Sequence, residues 1–366
     1  MTDDHLPAKE RDSAFMRRAL ELAQGGWGQT APNPMVGAVV VQNGHVVGEG
    51  WHERYGEPHA EINALRAAGE RARGSTLYVS LEPCNHHGKT PPCTEAILAA
   101  GVSRVVMAMP DPNPIASGGR ERLRAAGVEV DSGMELEAAR ELNAPFIHAF
   151  DSGRPWIVLK LAVSLDAAIA PADRARTWLT GIESRREVHR LRAGYDAVAI
   201  GIGTAMADDP LLTVRDVDPP RVAPRRIVFD HRARLSLDSA LVRTVRESPV
   251  MVVSRRPDPR RAAALRTAGA EVLDAPTLRD ALSALAARGV RSMLVEGGAR
   301  LAGSFIAEGL VDRLIIFQAP VVLGDDALKA FSQIDGTAPP TPRRLRTIAH
   351  QAFGDDVMTT FALGAE

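Results

Sequence analysis

The stretch His59-Ala60-Glu61, followed by Leu81-Glu82-Pro83-Cys84-Asn85-His86-His87-Gly88-Lys89-Thr90-Pro91-Pro92-Cys93, carries the residue types of a metal centre in a fixed order. A catalytic zinc takes three protein ligands from imidazole and thiolate and leaves a fourth position to water. His59, Cys84 and Cys93 supply that set, for one zinc ion per chain. Glu61 follows the histidine by two residues, so at a helix start its carboxylate leans toward the fourth position without ligating, ready to move protons. Eight residues, Asn85 to Pro92, separate the cysteines, where the common arrangement has two. Pro91 and Pro92 still open a helix with Cys93 in its first turn, near the positive end of the dipole, where thiolate is favoured. Two plainer readings stand beside this one: a closed zinc knuckle completed by His86 or His87, and a pair of buried reduced cysteines. A closed knuckle has no use for Glu61.

The ordered set of histidine, glutamate and two cysteines points to hydrolytic deamination, in which water attacks an amino-bearing ring carbon and the glutamate shuttles protons. Around it the chain alternates helix and strand. Asp12 or Ser13 caps a helix with Phe15, Met16, Ala19, Leu20 and Ala23 on one side, ending at Gly25-Gly26. A strand over Ala38 to Val41 turns at Asn43-Gly44, a two-residue hairpin signal, and returns through Val46 and Val47. His59 opens a helix, a strand over Ser75 to Leu81 delivers Cys84, and the Cys93 helix runs to Gly101. A strand from Arg104 to Met109, a helix over Gly119 to Ala126, a strand at Val128 to Val130 and a helix from Glu135 complete an α/β layer. In Ala31-Pro32-Asn33-Pro34 the prolines fix the Asn33 amide in a loop, suited to the edge of a heterocycle or simply to a turn. His52 either meets substrate or packs.

With 366 residues the chain calls for two domains, expected at 1–150 and 151–366, joined through Asp151-Ser152-Gly153-Arg154-Pro155. A net charge of -1 and 4% aromatics argue against a nucleic-acid groove. The only two cysteines are both claimed by the metal, so no disulfide is expected and a reducing cytoplasm fits. Residues Met1 to Arg11 lack a signal-peptide core, and no apolar run is long enough to span a bilayer. A cytoplasmic protein with no membrane partner is expected.

The second half opens on a strand over Trp156 to Val163, with Lys160 among apolar neighbours, either snorkelling at an edge or placed to meet an anion or carbonyl. A helix ends near Arg192, and a strand over Ala197 to Ile200 reaches Gly201-Ile202-Gly203-Thr204, which lacks the third glycine of a dinucleotide fingerprint and reads as a tight turn. Met293 to Gly298 is a strand running into two glycines and a helix over Ala299 to Glu308. Exposed amides at that helix start suit a cofactor phosphate, and Glu296 a ribose hydroxyl.

Four segments of the first half, Ala31 to Gly37, His59 to Glu61, Leu81 to Cys93 and Asp111-Pro112-Asn113-Pro114, closely resemble the deaminase domain of the bifunctional riboflavin-biosynthesis deaminase/reductases. Val158 to Ala162, Ser164 to Asp166, Trp178, Leu191 to Ala193, Gly203-Thr204, Asp208 to Pro210, Leu212 to Arg215 and Val295 to Gly298 are similar to the reductase domain of the same family. The resemblance implies a cytidine-deaminase-like three-layer α/β domain followed by a dihydrofolate-reductase-like α/β domain. It implies a hydrolase and NADPH-dependent oxidoreductase that deaminates a diaminopyrimidinone ribosyl phosphate and reduces the ribosyl unit to ribityl. By the same resemblance Asn33, His52 and Lys89 contact the pyrimidine or its phosphate, and Arg192, Leu212, Arg215 and Glu296 bind the second substrate, with Arg192 and Arg215 suited to clamp a phosphate. Ala162, Trp178, Thr204, Asp208 and the run Gly298, Ala299, Arg300, Leu301, Ala302, Gly303 and Ser304 line the NADPH site. A homo-oligomer is implied as well. The chain departs from the family after Asp166, where Ala167 replaces the usual glycine and Pro171 to Arg176 forms a different loop, so a deaminase with a silent or repurposed second domain is the nearest alternative. A nucleoside or tRNA deaminase fused to an unrelated domain, and a binding protein with a structural zinc, are the other readings.

Overall fold

Short β-branched runs such as residues 38–41 and 105–107 are apolar throughout and buried, which suits strands covered on both faces. The computed structural model describes residues 7–175, 177–331 and 344–363, and the chain divides into two units, Met1–Asp151 and Ser152–Glu366. The first unit contains β1 (Gly37–Gln42), β2 (His45–Trp51), β3 (Thr76–Val79), β4 (Arg104–Met107) and β5 (Glu129–Ser132), in the order β2-β1-β3-β4-β5. The first two pairings are antiparallel and the rest parallel. Asn43 and Gly44 both take positive φ in the hairpin, as the sequence predicts.

Its helices are α1 (Ala8–Ala23), α2 (Ala60–Ala68), α3 (Cys93–Ala100), α4 (Gly119–Ala125), α5 (Leu136–Leu142) and α6 (Ala144–Asp151). Glycines decide how two of them seat. A Cβ on Gly37 would lie 1.9 Å from the Ala19 carbonyl oxygen of α1, and one on Gly48 would lie 2.3 Å from the Ala64 carbonyl oxygen of α2. Gly48 pairs with Val40, three residues along β1 from Gly37. Side chains alternate along a strand, so the two glycines face opposite sides and α1 and α2 sandwich the sheet in three layers.

One expectation fails here. Helix α1 begins at Ala8, a turn before Asp12 and Ser13. Those two polar side chains serve tertiary partners instead of a cap. Asp12 accepts from Tyr78 Oη at 2.5 Å and Arg104 Nη2 at 2.8 Å, and Ser13 donates to Glu135.

The second unit contains β6 (Trp156–Val163), β7 (Ala168–Ala170), β8 (Ala197–Gly201), β9 (Arg225–Phe229), β10 (Val250–Ser254), β11 (Glu271–Asp274), β12 (Ser292–Glu296), β13 (Arg313–Gln318), β14 (Leu328–Lys329), β15 (Arg346–Phe353) and β16 (Asp356–Ala362). Nine of these form one sheet in the order β11-β10-β9-β8-β12-β6-β13-β16-β15. It is parallel from β11 to β13 and closes with the antiparallel β15–β16 hairpin. The helices are α7 (Ile182–Ala193), α8 (Ile202–Asp208), α9 (Ala240–Arg243), α10 (Pro259–Thr267), α11 (Leu278–Ala287) and α12 (Ala299–Ala307). Phe305, Leu282 and Leu285 are wholly buried against the sheet.

Two sequence expectations change. Lys160 lies on β6, between β12 and β13, so it is on a central strand and does not snorkel at an edge. Gly201 starts α8 instead of a simple turn.

Candidate active sites

His59 is the N-cap of helix α2, with an extended backbone (φ -72°, ψ 165°). Helix α3 begins at Cys93, directly after Pro92, as the sequence predicts. His59 Nδ1 lies 3.5 Å from Cys84 Sγ and 3.3 Å from Cys93 Sγ, and the Cys93 amide donates to Cys84 Sγ at 3.4 Å. Among the described residues, only these three gather as a candidate metal set, with ligand atoms all within 4.8 Å of one another. His86 and His87 stand outside it, and the His87 side chain lies 3.4 Å from Glu95, so neither completes a closed knuckle.

The protonation of the trio fits a cation. A hydrogen bond from Cys93 and another from His59 pull Cys84 down to about 4, while the Cys84 contact and burial drive Cys93 well up. The two sulfurs can both be anionic only beside positive charge, which a divalent metal supplies. Glu61 opens into the same cavity and is 3% exposed, so burial pushes its carboxyl up to about 7, with His59 opposing. A carboxyl near neutrality exchanges protons readily in both directions.

The cavity holds about 240 Å³. Asn33, His52 and Lys89 all line it, together with Tyr55, Asp111 and Asn113. His52 Nδ1 lies 3.1 Å from the Pro58 carbonyl oxygen and must donate to it, so Nε2, 3.2 Å from Asn33 Nδ2, accepts from the amide. Burial also lowers the His52 pKa, which keeps the ring neutral. His52 therefore both packs and lines the cavity, and it turns the Asn33 amide. Lys89 Nζ sits 4.1 Å above the Tyr55 ring. Asp111, raised to about 6 by burial, and Asn113 were visible as a motif but had no assigned role. Glu82 sets their loop by accepting from the amides of Asp111, Gly118 and Arg120.

In the second unit a cleft of about 1330 Å³ runs along the carboxyl ends of the parallel strands. Lys160 to Ala162 come from β6, Ile200 to Thr204 follow β8, and Glu296 to Leu301 follow β12. Glu296 and Arg192 face each other as a bidentate pair at 2.5 and 2.9 Å, both largely buried. Although burial opposes it, the Arg192 guanidinium holds the Glu296 carboxyl down at about 2. Burial lowers the Lys160 pKa, with Glu296 opposing.

Ala162, Trp178, Thr204, Asp208, Gly298, Ala299, Arg300, Leu301 and Ser304 line this cleft, as do Arg192, Leu212 and Glu296. Ala302 is fully buried on α12 and joins the core, and Gly303 is buried beside it; neither faces the cleft. Arg215 also lies off the cleft, exposed, with Nη1 donating to Thr213 Oγ1 at 2.7 Å. His231, Arg234 and Arg255, on the loops after β9 and β10, line it without any motif to announce them. In the departing loop, Ala167 takes φ +59°, a conformation in which glycine is at ease. Asp166 beside it accepts from the amides of Leu323 and Gly324 and from Lys329 Nζ. Arg176, the last residue of that loop, lies outside the described residues.

Two protein families match the chain: the cytidine and deoxycytidylate deaminase zinc-binding region over residues 9–109, and the RibD C-terminal domain over residues 155–359. The riboflavin biosynthesis protein RibD of Aquifex aeolicus is 45% identical over 320 residues, covering 87% of this chain and 89% of its own. The solved structure of Acinetobacter baumannii RibD superposes with a TM-score of 0.85 at 38% identity, covering 97% of this chain and 99% of that one. A Thermotoga maritima structure, described as a diaminohydroxyphosphoribosylaminopyrimidine deaminase/5-amino-6-(5-phosphoribosylamino)uracil reductase, gives 0.84 at 32% identity over the same shares.

Proposed function

Since the chain belongs to the RibD family of riboflavin-biosynthesis enzymes, we propose that the two sites just described perform its two successive reactions, deamination at the first and NADPH-dependent reduction at the second. The protein is a bifunctional enzyme, a hydrolase and an oxidoreductase. It removes the 2-amino group of 2,5-diamino-6-(5-phosphoribosylamino)pyrimidin-4-one, and reduces the ribosyl chain of the resulting uracil to ribityl. The deaminase is assigned to residues 1–150 and the reductase to 151–366.

The observation that carries the first assignment is the convergence of His59 Nδ1, Cys84 Sγ and Cys93 Sγ, with His59, Cys84 and Glu61 lining one cavity and Cys93 behind them. Those three residues would hold zinc, which when bound supplies a water made nucleophilic near neutral pH. Glu61 takes a proton from the attacking water, passes it to a ring nitrogen, and delivers another to the departing amine. Asn33, its amide set by the neutral His52 ring, reads an edge of the heterocycle, and Lys89 at the Tyr55 face meets the ribosyl phosphate. Ammonia leaves and a carbonyl remains.

In the second unit NADPH, when bound, would supply a hydride for the sugar C1 in its open, imine-like form. Thr204, Asp208 and the start of α12 at Gly298 would hold the cofactor, the amides of that helix end being suited to a phosphate. Trp178 and Ala162 border the same cleft. Arg192, fixed by Glu296, presents one face of its guanidinium to the substrate with Leu212 lining the same cleft, and Arg215, which lies off the cleft beside Thr213, would have to turn inward to meet the phosphate. The nitrogen takes up a proton as C1 takes the hydride; no side chain stands out as an essential acid, water can supply that proton, and catalysis is chiefly positioning. A homo-oligomer in the cytoplasm, acting on a small phosphorylated pyrimidine, completes the reading.

The test gives purified zinc-loaded protein the diaminopyrimidine ribosyl phosphate with NADPH, following the reduced-nicotinamide absorbance while assaying ammonia. Equal amounts of ammonia released and NADPH consumed support both assignments. Ammonia without NADPH loss removes the second.

A further inference from the structure

Arg226 on β9 is wholly buried. Its Nη1 donates to the Leu211 carbonyl oxygen at 3.1 Å and to Thr244 Oγ1 at 2.7 Å, and its Nη2 to the carbonyls of Thr244, at 2.9 Å, and Ser248. Its Nε is buried with no partner, and among the described residues no carboxylate forms an ion pair with it. Burial pulls the guanidinium down to about 10, opposed only by the field of Glu247. A buried charge without a counter-ion is costly and is ordinarily replaced by an apolar side chain at little loss of stability. The arrangement makes sense if one of the carbonyls it grips matters elsewhere.

That carbonyl is Leu211 O. The next residue, Leu212, is 3% exposed, lines the reductase cleft and sits at φ +53°, a region that is strained for any residue but glycine. Such strain persists only where the surroundings impose it. Three contacts do so here. Asp209 Oδ1 accepts from the Ala240 amide at 2.7 Å, which fixes the segment on one side. The two carbonyls flanking Leu212 are each held by an arginine, Leu211 O by Arg226 and Thr213 O by Arg192 Nη1 at 3.1 Å.

We infer that Arg226, out of reach of substrate and cofactor, is a positioning residue that holds Leu212 in its strained conformation and thereby shapes the substrate end of the reductase cleft. The inference rests on the reading of Leu212 as a substrate contact. It predicts a defect in substrate binding with the cofactor end, built from α8 and α12, untouched.

The test uses the full-length, zinc-loaded protein carrying Arg226→Lys, which keeps a buried cation but lacks the planar fork that reaches Leu211 O from one nitrogen and Ser248 O from the other. The KM for the deaminated intermediate should rise about tenfold or more with kcat changed no more than about threefold. The NADPH dissociation constant, read by nicotinamide fluorescence, should stay within about twofold and ammonia release should be unchanged. Amide exchange at Leu211 to Thr213 should quicken while that of β8 and β12 does not. If Arg226→Lys does not fold, Thr244→Val removes one bond to the guanidinium and should show the same pattern, smaller. Leu212→Ala separates the two claims. If it raises KM while Arg226→Lys and Thr244→Val do not, Arg226 is no positioning residue and the inference fails while the reading of Leu212 stands. If none of the three moves KM, both fall. A parallel loss of stability, NADPH affinity and substrate affinity would make Arg226 purely structural and overturn the inference.

Discussion

In the first unit the reacting groups are side chains. His59, Glu61 and Cys84 meet in a cavity of about 240 Å³ with Cys93 directly behind them, and four residues of chain order carry the whole assignment. In the second unit a cleft of about 1330 Å³ is assembled from the ends of six parallel strands, and its lining is gathered from many separate segments, with one buried ion pair among them. The difference follows from who performs the chemistry. A deaminase must supply its own proton carrier and metal ligands, whereas a hydride comes from the cofactor and the protein has only to place two molecules. Sites of the first kind write themselves into sequence as ordered motifs; sites of the second kind are dispersed.

That contrast breaks most sharply on the metal. Cys93→Ser, or zinc removed by a chelator, should abolish ammonia release while NADPH oxidation with the deaminated intermediate continues, metal content being measured alongside. If loss of zinc instead unfolds the first unit, followed by circular dichroism, the metal is structural and the cavity is not a catalytic one.

The ion pair sharpens the other half. Arg192→Met leaves Glu296 buried without a partner, which should destabilise the second unit by about 3–5 kcal/mol in denaturant titration and cripple substrate binding, with ammonia release intact. The pair also sets a pH window. Arg192 holds Glu296 at about 2 in the folded protein against an ordinary value of 4.5, so its contribution is fully present above 4.5. As the pH falls from there toward 2 the unfolded carboxylate takes up protons that the folded one refuses, and the stabilisation is lost. The pair's contribution to the stability of the second unit, read by denaturant titration, should therefore be constant in the neutral range and decline below about 4.5.

A smaller effect is expected at the cofactor end. A Cβ on Gly298 would stand 3.3 Å from Thr204 Oγ1, so Gly298→Ala crowds the start of α12 and should weaken NADPH binding by roughly 1 kcal/mol, a few-fold in dissociation constant, without moving the KM of the pyrimidine substrate. Smallest is Ala167→Gly. Glycine accepts φ +59° without strain, so the substitution should leave both activities unchanged and stabilise the second unit by at most about 1 kcal/mol in thermal melts.

Legibility follows the same division. The helix starts at His59 and Cys93 and the Asn43-Gly44 turn were readable because capping position, proline and positive-φ preference are local properties. Asp12 and Ser13 misled because a polar residue near a helix start reads as a cap, while here Tyr78, Arg104 and Glu135, far off in sequence, claim it. Lys160 stayed open between two readings for a related reason, since strand order, which puts β6 between β12 and β13 and removes the edge reading, is a tertiary fact. Asp111 and Asn113 were quoted as a motif but acquired a place only through Glu82, whose three amide contacts have no signature. In the cleft, Ala302 and Gly303 turn to the core because a helix lining a site shows it only one side. His231, Arg234 and Arg255 come from the loops after β9 and β10, in a stretch without motifs. The pairing of Arg192 with Glu296 spans 104 residues of sequence and could only be seen in the fold.

The central claim is that one chain carries two chemically independent sites, and Glu61→Gln tests it most directly. The substitution keeps the shape and the three candidate ligands but removes the proton carrier. Zinc-loaded Glu61→Gln protein, given the diaminopyrimidine and the deaminated intermediate in separate assays, should release ammonia about 10²–10⁴-fold more slowly and oxidise NADPH at the unaltered rate. Loss of both activities in a folded, zinc-loaded variant would contradict the account.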